Sequence, residues 1–363
     1  MKAAHRWGVA GVATLLAVLT PYAGRLHRVH DPDVATAALV AEVRASAKTP
    51  FSGTVEVRGN IGLPIADHFS DLVDLFGGDT RLRVWWRSDQ EWRVDRLLDT
   101  GEIDLYHLGR TTTEWDYERN EARTSGDPEI RLPRDSDLLP PDVARRALDG
   151  QPGDAVTHLP ARRIAGVDAA GLRVAITDPQ STIRHVDLWV DPDTGVTLSA
   201  AVYGDSSQPA VTTTFTTYSG AAPSASVTRF RPAPGVHRFS DPVVDIADAA
   251  DQFAPVRTPA SVAGLQRSAG ISAAVYGEGL TRLLVVPLPF READELAAQL
   301  DRSGDRTAHG QRLLRVGPLG VMLTHASGRL GIHWLVGGTV TDAALLDAAH
   351  DLATGARPKA EGR

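Results

Sequence analysis

Of the twelve histidines in this 363-residue chain, only His27 and His30 stand within one helical turn of each other. A metal site needs further ligands at compatible spacing, and none follows. The pair reads as the solvated flank of the apolar segment before it. His107, His185 and His237 each stand alone as strand-face residues, with neither the spacing of ligands nor a partner for base catalysis. There is no Gly-x-Ser-x-Gly elbow, no phosphate-cradling Gly-x-x-x-x-Gly-Lys and no His-Glu-x-x-His. Gly204-Asp-Ser-Ser207 has the composition of a turn. Asp95 and Asp104 could do acid–base work as a pair, but carboxylates so spaced are common in hairpins. The chain has no cysteine, which excludes disulfides, thiolate ligands, a cysteine nucleophile and a lipidated N-terminal Cys. These residues point away from an enzyme and call for neither metal nor cofactor.

Charge gives a weaker signal. Arg81, Arg83, Arg87, Arg93 and Arg96 could meet lipid headgroups or an acidic partner. Interleaved with Asp89, Glu91 and Asp95, they read as the solvated face of a two-sided sheet. Net charge is −7, with basic residues scattered, so the stripe that nucleic-acid binding requires is missing. Apolar residues at 42% and charged residues at 23% are those of a folded globular protein.

The elements that would hold these residues follow from periodicity. Lys2, His5 and Arg6 precede an uncharged stretch from Trp7 to Gly24, the pattern of an export signal. Thr20-Pro-Tyr-Ala23 makes a poor cleavage site, so residues 1–30 are expected to be an uncleaved signal anchor with its flank. The bulk then lies outside the cytoplasmic membrane, as it also would if the signal were cleaved. A helix is expected over 34–47, capped from Asp31-Pro-Asp33. Period-two alternation follows at 51–58, 81–87, 91–97, 103–106, 112–117 and 121–124, with hairpin turns between. Residues 61–76 break it with a helical stripe of Ile65, Phe69, Leu72, Val73 and Phe76. Residues 126–141 are polar and Pro-rich, a loop before a helix near 141–148. Strands resume at 162–164, 171–177, 183–190, 197–203 and 211–218, with Asp191-Pro-Asp-Thr-Gly195 a turn. About ten antiparallel strands with helices against one face are expected over 31–240. Residues 241–263 read as a linker, 264–355 as a small α+β domain closing on a helix capped at Thr341 or Asp342, and 356–363 as a disordered tail.

The order of Phe51-Ser-Gly-Thr-Val, Trp92-Arg-Val-Asp95, Asp104-Leu-Tyr106, Trp115-Asp-Tyr117, Arg163-Ile-Ala-Gly-Val and Leu188-Trp-Val-Asp-Pro-x-Thr-Gly195 resembles the LolA-like superfamily. The N-terminal domain of RseB/MucB, regulators of extracytoplasmic sigma-factor systems, is the nearest likeness. It covers roughly residues 34–240. It implies an α+β protein built on a strongly curved antiparallel half-barrel with covering helices. It also implies a hydrophobic cavity for acyl chains or lipid sensing and, in RseB-like members, an anti-sigma-factor partner. The strand faces that would line such a cavity are Val55, Val57, Leu82, Val84, Trp86, Trp92, Val94, Ile103 and Leu105. Leu172, Val174, Ile176, Val186, Leu188 and Val190 would complete it, with 61–76 as lid. The expected role is a membrane-tethered lipid-binding or lipid-sensing protein, with an RseB-like regulator of an anti-sigma factor as the alternative. A closed core would present the same alternation.

Overall fold

The computed structural model describes residues 29–60, 78–232, 235–239, 245–254, 256–303, 305–306, 311–326 and 331–358. The expected anchor and the lid stripe Ile65, Phe69, Leu72, Val73 and Phe76 lie outside the described residues. Among those described, no helix is long and apolar enough to cross a membrane.

Alternation builds a meander of β1 (Phe51–Gly59), β2 (Asp79–Ser88), β3 (Glu91–Leu97), β4 (Glu102–Leu108), β5 (Thr111–Asp116) and β6 (Glu121–Gly126). A second run comprises β7 (Val156–Ile164), β8 (Val167–Ala175), β9 (His185–Val190), β10 (Thr197–Tyr203) and β11 (Val211–Ser219). β11 returns to pair antiparallel with β1, joining both runs into one curved open sheet. β12 (His237–Phe239) adds a parallel strand beside β6, making twelve strands. The glycine of the Phe-Ser-Gly-Thr motif has a local cause. β1 bulges against β11 at Thr54/Val55, and a Cβ on Gly53 would fall onto the Thr217 carbonyl oxygen.

Two helices lie on the inner face of this sheet. α1 (Thr36–Ala45) buries Leu39, Val40 and Val43. α2 (Pro140–Leu148) begins with two prolines, which suit a first turn, and ends with Arg145 and Arg146 against the negative end of its dipole. Its buried Val143, Ala144, Ala147 and Leu148 meet α1 and strands β8 to β10 in one cluster. A one-turn helix, α3 (Ala225–Thr228), follows β11.

Within the stretch 241–263, expected to be a linker, the described residues include a helix and two short strands. α4 (Ile246–Phe253) is capped by the Asp245 carboxylate, and Ala247 and Ala250 pack on Ile130 and Ala273. Alanines placed one turn apart supply a small apolar face, which composition alone disguised as loop. The second domain is an antiparallel eight-stranded sheet. In chain order its strands are β13 (Ser261–Val262), β14 (Leu265–Gly270), β15 (Ala274–Tyr276), β16 (Leu283–Leu288), β17 (Asp305–Arg306), β18 (Arg312–Val316), β19 (Leu319–Leu323) and β20 (His333–Gly338). α5 (Phe290–Ser303) and α6 (Asp342–Gly355) pack against it, and Thr341 caps α6 by accepting from the Ala344 amide. Of the tail expected to be disordered, Arg357–Pro358 pairs with Val256–Arg257, and residues 359–363 lie outside the described residues. The two domains are stitched by backbone: Thr182 N donates to Thr339 O at 3.0 Å and Thr341 N to Gln180 O at 2.8 Å.

Candidate functional site: the half-barrel and what fills it

Register places the expected cavity residues that lie in strands on one face. Trp86 stands opposite Trp92, Val84 opposite Val94, Val94 opposite Leu105, and Leu188 opposite Leu172. Thirteen of the fifteen are buried; Ile103 and Ile176 are half-buried. They fall into two packed groups. Val55, Val57, Leu82, Val84, Trp86, Trp92, Val94 and Leu105 cluster with Phe51 and Phe215. Leu172, Val174, Val186, Leu188 and Val190 pack beneath α1 and α2, with Ile176 at their border.

The first group holds an aromatic ladder. Phe51, Trp86, Trp92 and His107 stack in succession across β1 to β4, with centroids 5.8, 5.8 and 5.0 Å apart and planes within 13°. Each such contact adds about 0.5–1.5 kcal/mol beyond its buried area. The Trp86 indole N–H donates to Ala47 O at 2.9 Å. Over the ladder lies the segment 129–150, whose polar first half, expected to be a loop, buries Ile130 and then Asp135 to Leu139. Leu138 and Leu139 join the apolar cluster. The Arg134 guanidinium sits 5.3 Å from the Trp92 ring centroid and that of Arg145 5.9 Å from Trp86. Burial, with Arg131 nearby, pushes Arg134 down to about 10.

Charges survive in this interior because they are matched. Asp137 accepts two bonds from Arg131 (2.6 and 3.0 Å), one from Arg146 (2.7 Å) and one from the Arg134 amide (2.9 Å). Burial alone would raise its carboxyl. These donors outweigh burial and hold the carboxyl far below the usual carboxylate range. His107 accepts burial without charge: it shares a 3.1 Å hydrogen bond with Thr112 Oγ1, and burial lowers its pKa.

The expected arginine row divides between the two faces. Arg96 is on the inner face, 3.7 Å from Asp135. Arg83 and Arg93 are on the outer face, where they are structural rather than a free solvated array. Asp95 and Asp104 face each other across β3 and β4, and neither side chain is exposed to solvent. Arg93 donates to Asp95 (2.5 and 2.8 Å) and to Asp104 (2.8 Å), and Arg83 pairs with Asp95 and Glu102. The carboxylate oxygens of Asp95, Glu102 and Asp104 lie within 4.8 Å of one another, a donor set that a cation could share. Two guanidiniums already occupy it, and between them they pair with all three carboxylates. Burial first, and Asp95 second, push Asp104 up to about 7. Phe230 covers this network, 5.3 Å from Tyr106 and 6.0 Å from Trp115 between ring centroids.

Of the other histidines, His185 stacks on Tyr203 at 4.5 Å and His237 is exposed on β12. A cleft of about 430 Å³ opens between the domains. Arg184 pairs with Asp205 on one wall and Arg315 with Asp342 on the other. Sequence reasoning did not find this cleft, since its walls come from segments more than a hundred residues apart.

The structure of the MucA/MucB complex of Pseudomonas aeruginosa matches 90% of this chain and 99% of that one, at 20% identity and a TM-score of 0.52. The fold is close to that of MucB. MucB alone matches 89% of this chain and 98% of its own at 18% identity and a TM-score of 0.48. A LolA superfamily protein from Nitrosomonas europaea matches 51% of this chain and 92% of its own at 14% identity and a TM-score of 0.22. No family model matches the sequence, and no curated protein does.

Proposed function

We propose that this protein is an extracytoplasmic, membrane-tethered regulator of the RseB kind. It acts by docking the outward-facing segment of a membrane protein such as an anti-sigma factor, and it catalyses no reaction. The observation that carries this reading is that the half-barrel is filled by its own chain. Leu138 and Leu139 occupy its apolar face, and Arg134 and Arg145 lie across its tryptophans. An acyl chain entering there must first displace buried ion pairs, at a cost in desolvated charge. A polar partner meets a smaller cost in the cleft between domains, where the ion pairs it would exchange, Arg184 with Asp205 and Arg315 with Asp342, are part-exposed to water. The likeness to MucB, seen in complex with MucA, supports a partner of this class. The test is capture from detergent-solubilised membranes of the source cells by lipid-stripped protein. Capture of an anti-sigma ectodomain, weakened about tenfold or more by Arg184→Ala with Arg315→Ala, is expected. Loss of capture on lipid removal would overturn the reading.

A second reading, an acyl-lipid sensor, is favoured by the continuous apolar face from Val57 through Leu82 and Val94 to Leu105. Native mass spectrometry of residues 31–363 purified from a membrane-containing host decides it. A co-purifying acyl lipid supports it, and a clean protein mass with no uptake from offered lipids removes it.

A further inference from the structure

We infer that residues 129–150 are a coupler that ties the filling of the half-barrel to the packing of the C-terminal domain. The inference deepens the regulator reading and rests on it for its biological use, but the coupling itself needs neither partner nor lipid.

The segment touches both bodies at once. Its middle lies in the half-barrel, where Leu138 and Leu139 sit in the aromatic cluster and α2 packs under α1. Its two ends lie on the second domain. At the start, Ile130 packs with Ala273, and the Glu129 carboxylate accepts the Gly270 amide at 2.8 Å. The Asp245 carboxylate at the head of α4 accepts the Glu129 and Ile130 amides at 2.7 and 3.3 Å. At the finish, Gly279 comes so near that a Cβ on it would stand 2.7 Å from Arg146 O and 2.8 Å from Asp149 O. Backbone contact of that kind leaves no slack to absorb a shift.

What makes the segment one body is Asp137. It binds Arg131, next to the Ile130 that packs on the second domain, and Arg146, from the last turn of α2. Start and finish are therefore clamped to the same carboxylate beside Leu138. A ligand that lifts Leu138 and Leu139 must move or break that clamp, and either event disturbs the contacts at Ile130 and Gly279. Coupling of this form is reciprocal: a partner that draws the second domain away also opens the half-barrel.

Hydrogen–deuterium exchange on the full chain tests it without any ligand. Asp137→Asn removes the clamp, and Leu138→Ala loosens the interior end by a cavity that the fold survives more readily. Either variant is expected to speed exchange by about fivefold or more in residues 138–148 and also in 270–282. Val57→Ala, which opens a cavity of similar kind in the half-barrel away from the segment, should leave 270–282 as in the wild type. If 270–282 exchanges at the wild-type rate in both segment variants, or if Val57→Ala moves it equally, the coupler is overturned. Failure to find a docking partner would leave this result untouched, so the two readings fall separately.

Discussion

Asp104→Asn isolates the buried carboxyl pair, and its effect can be worked from the structure. Asp104 Oδ2 accepts from Arg93 at 2.8 Å and from the Tyr106 hydroxyl at 3.3 Å, while Oδ1 is buried without a partner. Asp95 faces it across the strand pair. An asparagine with its carbonyl at Oδ2 keeps both bonds and presents its amide toward Asp95, so it imitates the protonated acid at every pH. In the fold Asp104 titrates at about 7 against 3.8 for an ordinary carboxyl. At about 1.4 kcal/mol per pH unit this amounts to about 4 kcal/mol. The sign follows from proton binding. Below pH 3.8 both states carry the proton; between 3.8 and 7 the folded state holds one that the unfolded state has released. The stability this carboxyl contributes is therefore complete at the acid end and is lost as pH rises through 7. His107 works in the opposite sense. Burial depresses it, so its contribution is present above 6.5 and lost as pH falls below that value. The wild-type profile mixes the two, and the difference between variant and wild type removes His107. Urea unfolding at pH 4 to 8 should show Asp104→Asn level with wild type near pH 4 and more stable by up to about 4 kcal/mol at pH 8. A difference that stays constant with pH, or a variant less stable at pH 8, would refute the shared-proton account.

Trp86→Ala should cost about 3–5 kcal/mol in urea unfolding, because Trp86 stacks on both Phe51 and Trp92 and donates to Ala47 O. A cost under about 1 kcal/mol would mean that the ladder is incidental to the fold. Gly195 and Gly109 both sit in the left-handed region, at φ of 70° and 66°. A Cβ on Gly195 would stand 2.7 Å from the Glu42 carbonyl on α1, whereas one on Gly109 meets nothing within 4 Å. Gly195→Ala should therefore lower the urea midpoint clearly more than Gly109→Ala, whose cost is the backbone strain of about 1 kcal/mol alone.

Much of the half-barrel was legible because local and global demands agree. Residues alternating from Phe51 to Val57 and from Leu82 to Trp86 have one apolar face whatever their partners, and turns at Ser88-Asp89-Gln90 and Asp191 to Gly195 fix where each strand ends. Thr341 announced α6 by its hydroxyl. The expectation failed where burial depends on partners far away in sequence. Composition marks Ile130-Arg-Leu-Pro-Arg-Asp-Ser-Asp137 as loop, and only Leu138-Leu139 ahead of the paired prolines hinted otherwise. Asp137 can be buried because Arg131 and Arg146 neutralise it, a match that the chain does not display along its length. The linker failed for a related reason: the alanines of α4 are too small to advertise a face, yet small enough to let the helix lie against Ala273.

The Asp95–Asp104 pair is the instructive middle case. Each aspartate lies equally far from the turn at Asp99-Thr100, so hairpin register alone sets them opposite. Like charges directly across a strand pair oppose folding, and burial multiplies the penalty. A sequence that keeps both must supply compensation nearby, and the alternation already shows where: Arg83 and Arg93 occupy the same face. Two arginines against three carboxylates leave one negative charge, and a proton is the smallest cation that fits a space closed by Tyr106, Trp115 and Phe230. Register, charge count and burial thus explain why a carboxyl of this cluster is pushed upward, and the push is felt at Asp104, which burial and then Asp95 raise.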